Sequence, residues 1–277
     1  MKKFYQLLRI NHYIKNFLIF APLLFTTGIN NNDNLIITFQ TFLVFCLIAS
    51  TVYIINDIFD VELDRQHPRK KKSKPLASKS ISLNQAKFIL ILLLLFSIIL
   101  LNYNKNLIQV CLIYLFINFL YTIYFKKIPF LDIFVLSTNY ILRVYAGCVA
   151  LNVELSNWMA ITVFCGALFI SALKRKQELQ LYGSASRKVL NNYSLDGLKK
   201  VIDLSAILSI IFYSLYIISV NEELFLTIPL IIYGVLRYNY LSQNKNFSDS
   251  PVDEIIKDKQ NILIVFIWLL IVIKSNT

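Results

Sequence analysis

The stretch that decides the fold reads Asn56-Asp57-Ile58-Phe59-Asp60-Val61-Glu62-Leu63-Asp64-Arg65, and continues His67-Pro68-Arg69-Lys70-Lys71-Lys72-Ser73-Lys74-Pro75. It follows directly on a long apolar run, Leu35 to Ile55. Its three aspartates recur at i, i+3 and i+7, a spacing that puts them on one face of a helix over two turns. Three carboxylates converging at the mouth of a membrane helix repel one another unless cations sit among them. Hard divalent ions with oxygen ligands suit such a cluster, and Mg2+ typically shares its shell with substrate phosphates. Seven Lys and Arg between Arg65 and Lys79 suit the same anionic ligand. The plainer reading is a solvated helix end followed by a basic topology signal. Their coincidence at the end of an apolar run favours a metal–diphosphate site with Asp57, Asp60 and Asp64 as metal ligands.

Composition sets the class. The 277 residues are 57% hydrophobic and the mean hydropathy is +0.60, more apolar surface than a soluble domain can hide. An all-α polytopic protein in the lipid bilayer is expected. The net charge of +12 would suggest nucleic acid in a soluble protein. Here the charge lies between apolar runs, so no nucleic-acid partner is expected. Orientation in the membrane and anionic ligands account for it. Cys46, Cys111, Cys148 and Cys165 are scattered inside apolar runs without CxxC spacing, which argues against disulfides and zinc. Met1 to Asn16 is polar and basic, so no cleavable signal peptide is expected.

Apolar runs near the roughly 20 residues a spanning helix needs fall at 14–29, 35–56, 81–102, 107–125, 129–150, 157–174, 201–220, 224–241 and 261–274. Nine transmembrane helices put the termini on opposite sides. Every alternate connection is basic, and together these connections hold 24 of the 28 Lys and Arg. The positive-inside rule then places the N-terminus and the aspartate-rich loop in the cytoplasm and the C-terminus outside. Within the spans, Asp132, Asn139 and Arg143 share a face of the fifth; they read equally as a structural polar seam or as a wall of a substrate cavity. Pro22 and Pro229 fall inside spans and mark kinks. His12 and His67 are not spaced for metal; His12 reads as a lining residue. The sixth span ends in Lys174-Arg175-Lys176-Gln177-Glu178, where Lys174 and Glu178 at i, i+4 could be a surface ion pair. That end corresponds to the aspartate-bearing end of the second span, which suggests a pseudo-repeat around one central cavity opening to the cytoplasm.

Asn56-Asp57-x-x-Asp60-x-x-x-Asp64 resembles the first aspartate-rich motif of the UbiA superfamily of intramembrane prenyltransferases. Within it the chain is most similar to the branch of decaprenyl-phosphate phosphoribosyltransferases. The narrower likeness rests on Arg9-x-x-His12-Tyr13-x-Lys15-Asn16, Phe20-Ala21-Pro22-Leu23, Asp64-Arg65-x-His67-Pro68 and Lys74-Pro75-Leu76-Ala77-Ser78. Leu142-Arg143-x-x-Ala146-Gly147, Lys174-Arg175-x-x-Glu178-Leu179, Arg237-Tyr238, Pro251-Val252-Asp253 and Asp258 extend it. The likeness covers nearly the whole chain, 1–277, as a single domain. One departure from the wider superfamily stands out. Where a second aspartate-rich motif is usual after the sixth span, this chain has one acid and three bases, which suits a substrate bearing several phosphates.

The resemblance implies transfer of a 5-phosphoribosyl group from phosphoribosyl diphosphate to a polyprenyl phosphate in a bacterial inner membrane. Asp57, Asp60 and Asp64 would hold Mg2+ on the donor diphosphate. Arg9, Lys15, Asn16, Asn56, Arg65, Lys74, Lys174, Arg175 and Glu178 would line the substrates. The alternative is a prenyltransferase moving an isoprenoid from its diphosphate to an aromatic or other small acceptor. A transporter fits less well, because transporters place charged residues near the midplane and these cluster at one face.

Overall fold

In hydrocarbon a backbone must satisfy its own hydrogen bonds, and long apolar runs without alternation do so as helices. The computed structural model describes residues 2–26, 31–67, 70–183, 188–242 and 257–276, and among them there are helices and turns but no strand. Helix α1 (Lys2–Leu8) leads into a 3₁₀ segment (Ile10–Phe20) and the short α2 (Ala21–Phe25). The long α3 (Asn32–Phe59) is followed by α4 (Val61–Gln66) and α5 (Lys70–Ser73). Then come α6 (Leu83–Leu101), α7 (Asn106–Ile123), α8 (Leu131–Leu151) and α9 (Asn157–Tyr182). The chain ends with α10 (Leu195–Val220), α11 (Thr227–Ser242) and α12 (Lys259–Asn276).

Seven helices among the described residues are long and apolar enough to cross a membrane, and they carry the second to eighth expected spans. The expected first and ninth spans stand apart from these seven. The ninth stretch lies on α12. The first, 14–29, is not one α-helix. Its described part is the end of the 3₁₀ segment, then α2; residues 27–30 lie outside the described residues. Pro22 is one cause, since it lacks the N–H that would carry an α-helix through this point, and α2 begins there with the proline in its first turn. The chain is an integral membrane protein. Along α6, Phe88, Ile91, Leu95, Phe96, Ile98 and Ile99 are each more than half exposed, a surface that suits lipid and not water.

The helices pack in sequence. From α7 to α12 each lies against the next, and α12 returns to α2. Helix α3 meets α8 of this circuit, with the 3₁₀ segment against both. Ile19, Phe45, Ile48, Tyr114 and Ala146 knit these elements into one apolar cluster. Gly147 of α8 sits where a Cβ would come within 2.1 Å of the Ile19 carbonyl oxygen, so helix and segment touch backbone to backbone. All four cysteines are free and buried, as the sequence implied.

Candidate active site

Helix α3 stops at Phe59. Asp60 leaves helical geometry (φ −95, ψ 2) and α4 begins at Val61. Two backbone bonds carry the chain direction through the joint: Asp60 N–H to Asn56 O at 2.9 Å and Asp64 N–H to Asp60 O at 2.8 Å. The three aspartates therefore do not form the single-faced ladder of a continuous helix. Asp57 and Asp64, both buried, converge on one ammonium: Lys74 Nζ lies 2.8 Å from Asp57 Oδ1 and 2.5 Å from Asp64 Oδ2. Arg9 Nη2 donates to Asp57 Oδ1 at 2.5 Å, and Lys70 Nζ stands 3.9 Å from Asp64 Oδ1. Asp60 bonds elsewhere, to Lys126 Nζ at 2.5 Å in the connection between α7 and α8. A carboxylate at a helix break goes where a cation can reach it.

Among the described residues no three His, Cys, Asp or Glu lie close enough together to hold a metal. The pair Asp57 and Asp64 still fits Mg2+, which one or two carboxylates plus substrate phosphates bind. Their oxygens already converge on a cation, the Lys74 ammonium. Two expected site residues are placed differently. Arg65 turns to exposed Glu62, Nη1 to Oε1 at 2.6 Å, and is not brought to the aspartate pair. Asn56 contributes its backbone carbonyl to the joint.

A second polar knot joins α8 and α9 at the same end of the bundle. The Arg175 guanidinium donates to Asp132 Oδ2 at 2.6 Å, Glu178 Oε2 at 2.7 Å and the Tyr121 hydroxyl at 3.4 Å. Tyr193 donates to Asp132 Oδ1 at 2.5 Å and accepts the Phe130 N–H at 2.6 Å. Burial, and donation to an anionic carboxylate, push the Tyr193 phenol up. Arg175 and Glu178 thus hold this end together. Lys174, one residue earlier, faces the next group.

That group rides on the 3₁₀ segment, where residues three apart eclipse. Arg9 caps it, and His12 and Lys15 follow on the same edge. The Arg9 guanidinium lies 4.8 Å from the Tyr53 ring centre and His12 meets the same ring edge-on at 5.3 Å. Burial, with the positive charges of Lys15, Arg9, Lys174 and Arg143, pushes the imidazole down to about 2, so His12 is neutral. Among the described residues its buried Nδ1 has no hydrogen-bond partner. Asn16, wholly buried, accepts from Arg143 Nε at 2.8 Å and donates to Cys46 Sγ at 3.2 Å. Sequence reasoning missed Lys126, Tyr53 and Tyr193. Lys126 was legible only as one of two bases in a short loop, and the tyrosines carried no signal.

Residues 17–253 match the UbiA prenyltransferase family, and the chain belongs to it. It is a membrane transferase. A decaprenyl-phosphate phosphoribosyltransferase of Mycolicibacterium smegmatis is 34% identical over 76% of this chain and 69% of the relative. One of Mycobacterium tuberculosis is 31% identical over 95% and 90%. The fold is that of a UbiA homologue from Archaeoglobus fulgidus bound to GPP and Mg2+, with TM-score 0.75 and 18% identity, covering 98% of this chain and 99% of that one.

Proposed function

We propose that the whole chain, 1–277, acts as a single domain that transfers a 5-phosphoribosyl group from phosphoribosyl diphosphate to a polyprenyl phosphate, with Mg2+. The observation that carries the reading is the way the acids are accompanied. Asp57 and Asp64 share Lys74, Arg9 also bonds Asp57, and Lys126 bonds Asp60. The corresponding end of α9 adds Lys174, next to Arg175, whose own charge is matched by Asp132 and Glu178. A site so rich in cations suits a donor with several phosphates. Two mycobacterial relatives named decaprenyl-phosphate phosphoribosyltransferase support it.

In this reading Asp57 and Asp64 would hold Mg2+ on the donor diphosphate, while Asp60, turned to Lys126, is not drawn into that pair. Mg2+ held there would supply charge neutralisation to the leaving diphosphate. Arg9, Lys74 and Lys126, now spent on carboxylates, donate to phosphate oxygens when the donor enters. Lys174, with Arg65 at the rim, meets the 5-phosphate. Lys15 and Asn16 lie on the deeper side. Arg175 and Glu178 keep the α8 and α9 ends in register. The lipid phosphate is already an anion and attacks C1 without a strong general base; positioning supplies the rate. The site and the N-terminus face the cytoplasm and the C-terminus lies outside, following the basic connections.

A prenyltransferase acting on an aromatic or other small acceptor is the second reading, favoured by the likeness in fold to a homologue bound to GPP. Membranes holding the protein, given labelled phosphoribosyl diphosphate with polyprenyl phosphate or labelled prenyl diphosphate with 4-hydroxybenzoate, separate the two. Label entering polyprenyl phosphate is expected; label entering only the aromatic acid refutes the first reading.

A further inference from the structure

Arg143 is the thirteenth of the 21 residues of α8, about 18 Å along the axis from the end that carries Asp132. It is 3% exposed. Its three nitrogens donate to the Asn16 Oδ1 at 2.8 Å, the Asn139 carbonyl at 2.6 Å and the Tyr114 hydroxyl at 2.9 Å. All three acceptors are neutral. They are themselves fixed: Asn139 pairs reciprocally with Asn118 at 2.7 and 3.2 Å, and Asn16 is tied to Cys46. Lys15 approaches from the 3₁₀ segment. Its ammonium lies 5.8 Å from the centre of the Tyr140 ring and the Arg143 guanidinium 5.6 Å from the same centre. Among the described residues neither cation has a carboxylate partner within salt-bridge distance.

Arg175 gives the contrast. It is equally buried, and two acids, Asp132 and Glu178, match its charge. A buried charge inside a membrane protein is costly unless an opposite charge meets it. Two cations held at one tyrosine ring also repel each other. A polar seam needs amides and hydroxyls, which Asn118, Asn139 and Tyr114 already supply. It does not need two permanent charges with no anion.

Resting on the proposed phosphoribosyl transfer, we infer that Arg143 and Lys15 bind the phosphate headgroup of the acceptor lipid, at a subsite deeper in the bundle than the donor diphosphate. Reaction geometry asks for the same arrangement. In a direct displacement at C1, the nucleophile and the leaving group stand on opposite faces of the sugar. The leaving diphosphate belongs with Asp57 at the end of α3 and Asp64 on α4. The attacking phosphate must then come from the side of the bilayer interior, where Lys15 and Arg143 lie and where its isoprenoid tail belongs. An electron pair on a phosphate oxygen forms the new bond to C1, the C1–O pair departs with the diphosphate, and no proton moves.

The test uses full-length protein in nanodiscs. Wild-type turnover with phosphoribosyl diphosphate and polyprenyl phosphate is measured first, which settles the reaction independently of this inference. Arg143→Met and Lys15→Met are then expected to raise KM for polyprenyl phosphate about tenfold or more, the scale of one lost charge-assisted bond. KM for phosphoribosyl diphosphate stays within about twofold, and Arg143→Lys recovers part of the loss. Binding without turnover gives a second readout. Polyprenyl phosphate, but not the uncharged polyprenol, raises the melting temperature of wild type, and that shift is lost in the variants. If Arg143→Met fails to accumulate, Lys15→Met carries the test. Folded variants with an unchanged KM for polyprenyl phosphate, or with the defect confined to phosphoribosyl diphosphate, overturn the subsite while leaving the reaction standing.

Discussion

Replacing Lys74 by Met tests the idea that this side chain holds a place a divalent ion can take. Its ammonium makes two charge-assisted bonds, at 2.8 Å to Asp57 and 2.5 Å to Asp64. Such bonds are worth about 1.5–3 kcal/mol each. The lysine side chain is 18% exposed, so screening trims the pair to about 2–4 kcal/mol. Methionine keeps most of the stem and removes the charge. In EDTA the variant is left with two buried carboxylates facing each other across an empty space, with Arg9 still on one and Lys70 3.9 Å from the other. It should unfold at lower temperature than wild type. Adding Mg2+ should then restore it, because the ion no longer competes with an ammonium for the same oxygens. A hundredfold excess over the dissociation constant contributes about 2.7 kcal/mol. Transfer activity should fall tenfold or more, since the phosphate ligand is gone even when the metal is bound. The assay is thermal unfolding of the purified protein in EDTA and across a Mg2+ titration, beside transfer of label at matched protein. Equal Mg2+ stabilisation of variant and wild type, with transfer retained, refutes the reasoning.

Asp57→Asn and Asp64→Asn should each abolish transfer while the protein still inserts, and EDTA should do the same to wild type; turnover that persists in EDTA removes the metal from the account. Gly147→Ala forces a Cβ to within 2.1 Å of the Ile19 carbonyl oxygen. The 3₁₀ segment must move, so both melting temperature and transfer should drop, by about 1–3 kcal/mol of stability on the scale of overpacked sites; an unchanged melting temperature contradicts that contact. Cysteines placed at Asn32 and at Ser73 should label from opposite sides of the membrane, and labelling of both from one side sinks the proposed orientation.

Much of the bundle was legible because apolar runs and alternating basic connections are one-dimensional signals. Helices α3 and α6 to α11 fall where those runs fall. The spacing put Asp57, Asp60 and Asp64 on one helix face; the break at Asp60 leaves Asp57 and Asp64 together on Lys74 and sends Asp60 to Lys126. What a local pattern cannot show is which cation each acid finds. Asp60 is met by Lys126, 66 residues away, a contact that no local spacing announces. The N-terminal stretch misleads for a related reason. Arg9, His12 and Lys15 recur at intervals of three, a 3₁₀ spacing, but a run of apolar residues beside them reads as an ordinary membrane helix. Pro22 and the close approach of Ile19 to Gly147 accompany the tighter winding.

The two buried arginines carry the point furthest. Arg143 and Arg175 look alike in the sequence, one at the heart of a span and one at the end of the next. Arg175 finds Asp132, 43 residues earlier, and Glu178 one turn on, and its charge is matched within the fold. Arg143 finds Asn16, 127 residues earlier, a tyrosine and a backbone carbonyl, and among the described residues no carboxylate matches its charge. If each arginine served only to join helices, replacing it by an uncharged side chain of similar length would damage stability in both places. The Asp132 and Glu178 charges would be stranded in Arg175→Met, so that variant should lose stability sharply. Arg143→Met strands only neutral groups, so it should keep more of its stability and lose affinity for the anionic acceptor instead. Melting temperatures of the two variants, measured side by side without substrate, decide it: an equal or larger loss in Arg143→Met shows that its charge was structural.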